Sequence, residues 1–440
     1  MRTLATLLAV LVGGALTMVS AVPVGAAPAD SLGSPPTGAS GRTGPDDAKV
    51  DYHQWRSAEF LAGSAEGTAW TPGGLTIGHP AGTITHTEPG LGTTRAYDYA
   101  RWTSPRHTQG FDASQLIASW NAETPAGAWL QVEMRGRTDK GADTAWYVMG
   151  RWASGDGDIQ RTSVAGQSDA TGEIDVDTFQ AAQGVALRAY ELRVTLYRAQ
   201  GTTASPTLSA LGAMTSAVPD RFTVPPSRSG GAWGVELPVP RYSQDVHAGQ
   251  YPQYDGGGEA WCSPTSTEMV VEYWGRTPTA AQLSWVDPSY ADPSVDQAAR
   301  NTYDYSYQGA GNWPFNAAYA ASYGLAAHIT RLRSLTELEH YVRLGVPVVT
   351  SQSFRADELD GAGYGTSGHL MVVVGFTPTG DVIANDPASA TDAQVRHVYK
   401  RTQFENIWLR TKRYRADGSV GDGSGGVVYL IAPRGYPLPS

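Results

Sequence analysis

The sequence predicts a multi-domain chain: an all-β half, resembling a sandwich or jelly roll, followed by an α+β half. Three observations carry that prediction. Apolar and polar residues alternate with period two through much of residues 51–215, the pattern of strands with one buried face. Residues 216–236 contain Pro219, Pro225, Pro226 and the run Ser227-Arg228-Ser229-Gly230-Gly231, which reads as a linker. From residue 237 to 440, helical spacing and apolar strand runs occur together, as in a mixed α and β domain.

The N-terminus comes first in chain order. Arg2, an apolar run at residues 4–19 and the small-x-small sites Ala27-Pro28-Ala29 or Val24-Gly25-Ala26 predict a secretory signal peptide over 1–29. Gly13 and Gly14 interrupt the run, which is short for a membrane span. No later segment has the length and apolarity to span a bilayer. The expectation is a secreted, extracellular bacterial protein. Residues 30–50, rich in Ser, Gly, Pro and Asp, are expected to form a disordered tether.

In the β-rich half, Leu130, Val132 and Met134 alternate with Gln131, Glu133 and Arg135, and Leu192, Val194 and Leu196 with Arg193, Thr195 and Tyr197. Asp139-Lys140-Gly141 and Ser154-Gly155-Asp156-Gly157-Asp158 supply turns. Two packed antiparallel sheets follow. In the second half, helices are expected over 264–274, 314–323 and 335–344, stopped by Gly275, Gly324 and Gly345. Thr267, Val270, Val271 and Trp274 mark one face of the first. Strands are expected over 346–352, 369–376, 382–385 and 426–432.

Composition excludes several function classes. The net charge of −10 and the lack of a basic run argue against nucleic acid and anionic membrane surfaces as partners. Neither a His-Glu-x-x-His run nor a cysteine-rich zinc site is present, so no metal or other cofactor is expected. The single cysteine, Cys262, cannot form an internal disulfide in an exported protein.

That cysteine is a candidate nucleophile. Ser263 is a good N-cap and Pro264 a good first helical residue. Cys262 would then lie just outside the positive end of a helix, where a thiolate is stabilised. The loop Asp255-Gly256-Gly257-Gly258 before it would allow close approach of a peptide backbone. A cysteine nucleophile needs a base, and His369 stands beside Gly368 at the start of an apolar strand. The turn at 377–381 would bring the chain back, carrying Asp386 toward His369 as an orienting carboxylate. Asn385 is the alternative orienter. By spacing, Gln244 is a weak candidate for an oxyanion donor beside the Cys262 N–H.

These residues fall in four ordered motifs: Val239-Pro240-Arg241-Tyr242-Ser243-Gln244, Trp261-Cys262-Ser263-Pro264-Thr265-Ser266, Gly368-His369-Leu370-Met371-Val372-Val373-Val374-Gly375-Phe376 and Asn385-Asp386-Pro387. Asn312-Trp313-Pro314-Phe315-Asn316 accompanies them. Together they resemble a papain-like cysteine peptidase, and more closely the secreted, stand-alone, C39-like relatives of the double-glycine leader peptidases that process bacteriocins. The resemblance covers about residues 237–433 and implies Cys262 as nucleophile, His369 as base then acid, Asp386 as orienter and Gln244 as oxyanion donor. Ser263 stands where exporter-borne members often have glycine, and their ATP-binding Gly-rich Lys motif has no counterpart here. A double-glycine substrate is therefore not implied.

The expected reaction is hydrolysis of peptide bonds in a peptide or protein substrate. The same machinery would serve a cell-wall amidase, a transpeptidase or a deacylase. A different class is a non-catalytic protein binding a cell wall or glycan through the β-rich half, with Trp129, Trp146 and Trp152 as sugar platforms; tryptophans in a sandwich are more often core. Trp261, Trp313 and Glu259 are candidates to line a substrate cleft, with core packing or a solvated loop as their ordinary alternatives.

Overall fold

The computed structural model describes residues 48–439. The expected signal peptide and residues 30–47 of the expected tether lie outside the described residues. Lys49 and Val50, assigned to the tether by composition, belong to the first strand, Lys49–Arg56.

Strands between Lys49 and Ala217 form two antiparallel sheets. One is built on Gln115–Glu123 and Thr207–Ala217, the other on Thr93–Thr103, Ala128–Thr138 and Leu187–Ala199. Their inner faces share a core that includes Trp55, Trp102, Trp120, Leu130, Val132, Leu192 and Val194. This is the sandwich that the alternation predicts.

The second sheet keeps one wetter face. The first does not. Strand Gln115–Glu123 is buried on both sides: Leu116, Ala118 and Trp120 enter the sandwich core, while Ile117 joins the core of the C-terminal region. From the same strand, polar side chains reach an edge strand of the C-terminal sheet, Leu325–Arg331. Asn121 Nδ2 donates to the Ala327 carbonyl at 2.6 Å, and its Oδ1 accepts from the Ala327 N–H at 3.1 Å. Ser119 Oγ accepts from the Ile329 N–H at 2.9 Å. Side chains thus satisfy an edge that would otherwise expose unpaired backbone groups.

The C-terminal sheet has six antiparallel strands in the order Leu325–Arg331, Val427–Pro433, Val348–Phe354, Thr366–Phe376, Val382–Asn385, Arg396–Tyr399. Helix Cys262–Tyr273 packs Met269, Val270 and Val271 in one core with Val349, Leu370 and Val372. Helices Leu335–Arg343 and Arg401–Leu409 share a second core with Met371, Val373 and Phe376. The three expected helices occur as Cys262–Tyr273, Trp313–Ser322 and Leu335–Arg343. Gly275, Gly324 and Gly345 follow them at φ 67°, 79° and 79°, the left-handed region that glycine enters freely. The first helix lacks the single apolar face expected of it. Ser263 through Val271 are all buried, because packing surrounds it.

Residues 216–236 are more than a free linker. Ser216 and Ala217 complete a sandwich strand. The rest lies extended along the C-terminal region. The N–H groups of Gly230 and Ala232 both donate to Glu339 Oε2 at 2.8 Å, and that of Ser227 to Glu405 Oε2 at 2.8 Å. Glu339 and Glu405 are buried, and the strap supplies the donors their carboxylates need.

Candidate active site

The candidate nucleophile begins its helix. Ser263 is not the N-cap: Trp261 holds that position, Cys262 is the first helical residue, and the Ser263 hydroxyl pairs with the buried Tyr429 hydroxyl at 2.8 Å. The cause is upstream. The turn Gly258–Ala260 winds directly into the helix, with the Trp261 N–H bonded to the Gly258 carbonyl at 2.9 Å, so no capping side chain is required. Among the described residues the Cys262 N–H has no hydrogen-bond partner, as expected for a first-turn amide.

The glycines of the preceding loop serve packing. A Cβ on Gly258 would stand 2.3 Å from the Gln244 carbonyl oxygen, and Gly257 has φ 121°. Only glycine permits this approach, which seats the Gln244 turn against the loop leading to Cys262. Gln244 is buried; its N–H donates to the Pro387 carbonyl at 2.9 Å and its Nε2 to the Glu259 carbonyl at 2.6 Å. A carbonyl can only accept, so this contact fixes the amide orientation and leaves the second Nε2 hydrogen free for another acceptor.

His369 lies in strand Thr366–Phe376, opposite Gln352. Its Nε2 is 2.8 Å from Asp386 Oδ1, and it lines the same cleft as Cys262. Burial pushes the imidazole pKa down. The charges of Asp386 and Cys262 and the hydrogen bonds to both outweigh burial and raise it to about 10.

Asp386 is fully partnered. Oδ1 also accepts from the Ala388 N–H at 3.0 Å, and Oδ2 accepts from the hydroxyls of Tyr364 at 2.9 Å and Tyr399 at 2.6 Å. Burial alone would raise this carboxyl, but His369 and the two phenols hold it below its ordinary value. Asn385, the alternative orienter, is turned elsewhere, with Nδ2 donating to the Pro240 carbonyl at 2.9 Å. Tyr364 and Tyr399 escape sequence reasoning. Tyr364 sits in a loop without a distinguishing pattern, and Tyr399 ends a strand absent from the expected set.

Cys262, His369, Gln244, Glu259 and Trp313 line one cleft of about 920 Å³. Trp261 does not; it is buried, with Nε1 donating to the Tyr254 carbonyl at 2.6 Å. The cleft wall also includes residues 175–178 of the sandwich, a contribution that nothing in the sequence announces. The proposed sugar platforms are not open. Trp129 is buried and stacks on Tyr197 at 3.9 Å, Trp152 is buried, and Trp146 lies under the guanidinium groups of Arg135 and Arg193 at 4.7 and 4.1 Å. Among the described residues no cluster of three or more His, Cys, Asp or Glu could hold a metal ion, and no helix is long and apolar enough to cross a membrane.

With this geometry in place, residues 236–416 match the Peptidase C39 like family, and residues 51–216 match the peptidase C39 N-terminal domain. Among solved structures, a candidate C39-like peptidase from Bacillus anthracis is 19% identical over 46% of this chain and 98% of its own, with a TM-score of 0.28. A structure concerned with the promiscuous specificity of carbohydrate-binding modules of the β-sandwich superfamily is 7% identical over 38% of this chain and 54% of its own, with a TM-score of 0.14. The comparison with curated proteins finds no match. The fold is an all-β region followed by an α+β region.

Proposed function

We propose that this protein is an exported bacterial cysteine peptidase that cleaves peptide bonds through a thioester on Cys262. One observation carries the reading: the buried His369 imidazole stands 2.8 Å from the Asp386 carboxylate and lines the same cleft as the Cys262 thiol. Thiol, base and orienter in that order are the constellation of nucleophilic acyl transfer. Export rests on the N-terminal sequence.

The chemistry follows from the residues. The Cys262 sulfur, its proton held by His369, attacks the substrate carbonyl carbon. The oxyanion is met by the Cys262 N–H and the free Nε2 hydrogen of Gln244, each contributing about 3 kcal/mol in comparable sites. The C–N bond breaks as His369 gives its proton to the leaving amine. Water then attacks the thioester and passes a proton to His369, and the C–S bond breaks to release the acid and the sulfur. Asp386, anchored by Tyr364 and Tyr399, keeps the ring oriented and stabilises its charge.

The test is profiling of peptides released from a protein mixture by the full chain and by Cys262→Ala. New termini present only with the native chain support a peptidase. Identical peptide sets from the two proteins would count against it.

A further inference from the structure

The cleft is built by two regions of the chain, and its charge is one-sided. Asp175, Asp245 and Glu259 are exposed, Asp255 is partly buried, and all four line it. Among the described residues none of the four is ion-paired with a lysine or arginine. The cations on the same walls are engaged: Arg331 donates to Gln115 Oε1 at 2.7 Å and the Gly425 carbonyl at 2.8 Å, and Lys412 pairs with Asp422 at 2.8 Å. Burial and the charge of Glu259 both push the Asp245 pKa up, which places the two carboxylates in one field. A separate observation also points to a donor-rich ligand. Gln244, 4% exposed and lining the cleft, leaves Oε1 without a donor.

The sandwich holds its part of this wall at a conformational cost. Asp175 pairs with Thr178 across a two-residue turn, and Val176 at its tip has φ 54°. That region is disfavoured for a β-branched side chain, and such outliers persist where the surroundings impose them. What imposes it is visible. The buried Asp177 carboxylate accepts the Trp313 N–H at 2.8 Å, and Trp313 opens the helix Trp313–Ser322 of the C39-like region. A carboxyl acceptor at a helix N-terminus is a favourable anchor, and it pins the turn beside the cleft.

We propose that the turn at 175–178 of the N-terminal region is a substrate-binding wall, and that the cleft selects peptides with an arginine or lysine side chain beside the scissile bond. This rests on the peptidase reading above for the bond cleaved, but not for binding. A guanidinium or ammonium would meet Asp175 from the sandwich and Asp245 and Glu259 from the C39-like region, with Gln244 Oε1 as a neutral acceptor. The N-terminal region then shapes specificity directly.

The test uses the full chain. Binding of fluorescein-labelled peptides, identical except for arginine or glutamine at one position, is measured with Cys262→Ala by fluorescence anisotropy at low and high salt. Cleavage of the same peptides is measured with the native chain. The arginine peptides should bind about tenfold tighter, equivalent to about 1.4 kcal/mol, with the advantage shrinking in high salt. It should also shrink in D175N/E259Q, whose changed side chains are exposed. Equal affinity for both peptides, or an undiminished advantage in the double variant, overturns the proposal. Selective binding without cleavage by the native chain would keep the wall and defeat the peptidase reading; cleavage of both peptides with equal efficiency would do the reverse.

Discussion

His369 Nε2 stands 2.8 Å from Asp386 Oδ1, and both side chains are buried. A buried carboxylate without partners would cost several kcal/mol; this one accepts four hydrogen bonds, two of them from Tyr364 and Tyr399. The histidine is therefore held by a carboxylate that is itself held. Replacing Asp386 with alanine should lower kcat/KM by about 10²–10³-fold. It should also destabilise the fold by about 1–3 kcal/mol, because two phenols lose their acceptor. Steady-state kinetics and chemical denaturation measure the two effects.

Tyr399→Phe separates support from chemistry. It removes a charge-assisted hydrogen bond from Asp386 Oδ2, which should let the carboxyl pKa rise while the still-ionised carboxylate, less neutralised, raises the His369 pKa. The alkaline limb of the kcat/KM profile, expected near pH 10 in the native chain if His369 sets it, should move to higher pH. A merely structural loss would reduce melting temperature without moving that limb.

Stability should depend on pH in a defined window. The His369 pKa is raised from 6.5 to about 10, so its contribution is complete below about pH 6.5 and is lost as pH rises through about 10. The Asp386 pKa is lowered from 3.8, so its contribution is present above about pH 4 and is lost as pH falls through the depressed value. The stability difference between the native chain and His369→Gln should therefore shrink from pH 7 toward about pH 10, as read from urea midpoints.

Gln244→Ala should reduce kcat by about 10²–10³-fold with little change in KM, the signature of a donor used mainly in the transition state. A comparable rise in KM with unchanged kcat would instead make Gln244 a ground-state binding group.

The two regions should unfold together. Asn121 satisfies both the N–H and the carbonyl of Ala327 from across the boundary. Asn121→Leu should leave both buried groups unpaired and cost about 2–5 kcal/mol. Calorimetry should show a single transition in the native chain, and an earlier or split one in the variant.

Much of this arrangement was legible in the residues. Period two at Leu130, Val132 and Met134 found a sandwich strand, and glycines at 275, 324 and 345 marked three helix ends, because these signals are local. Cys262, His369, Asp386 and Gln244 lie in motifs whose order resembles one peptidase plan, and the fold brings them to one place. The rest depends on distant contacts. Strand Leu325–Arg331 is recognisable as an edge only once Ser119 and Asn121 are seen to cover it. Tyr364 has no pattern of its own, and the turn at 175–178 reaches the cleft only through the Asp177 bond to Trp313. Ser263 shows the converse: a good capping residue was drawn instead to Tyr429, because the preceding turn had already begun the helix.

The most direct measurement is the rate at which iodoacetamide alkylates Cys262 at neutral pH in the full chain and in His369→Ala. If His369 takes the thiol proton, the native chain reacts far faster than a free cysteine and the variant falls to the free-thiol rate or below. Equal rates in the two proteins would contradict it.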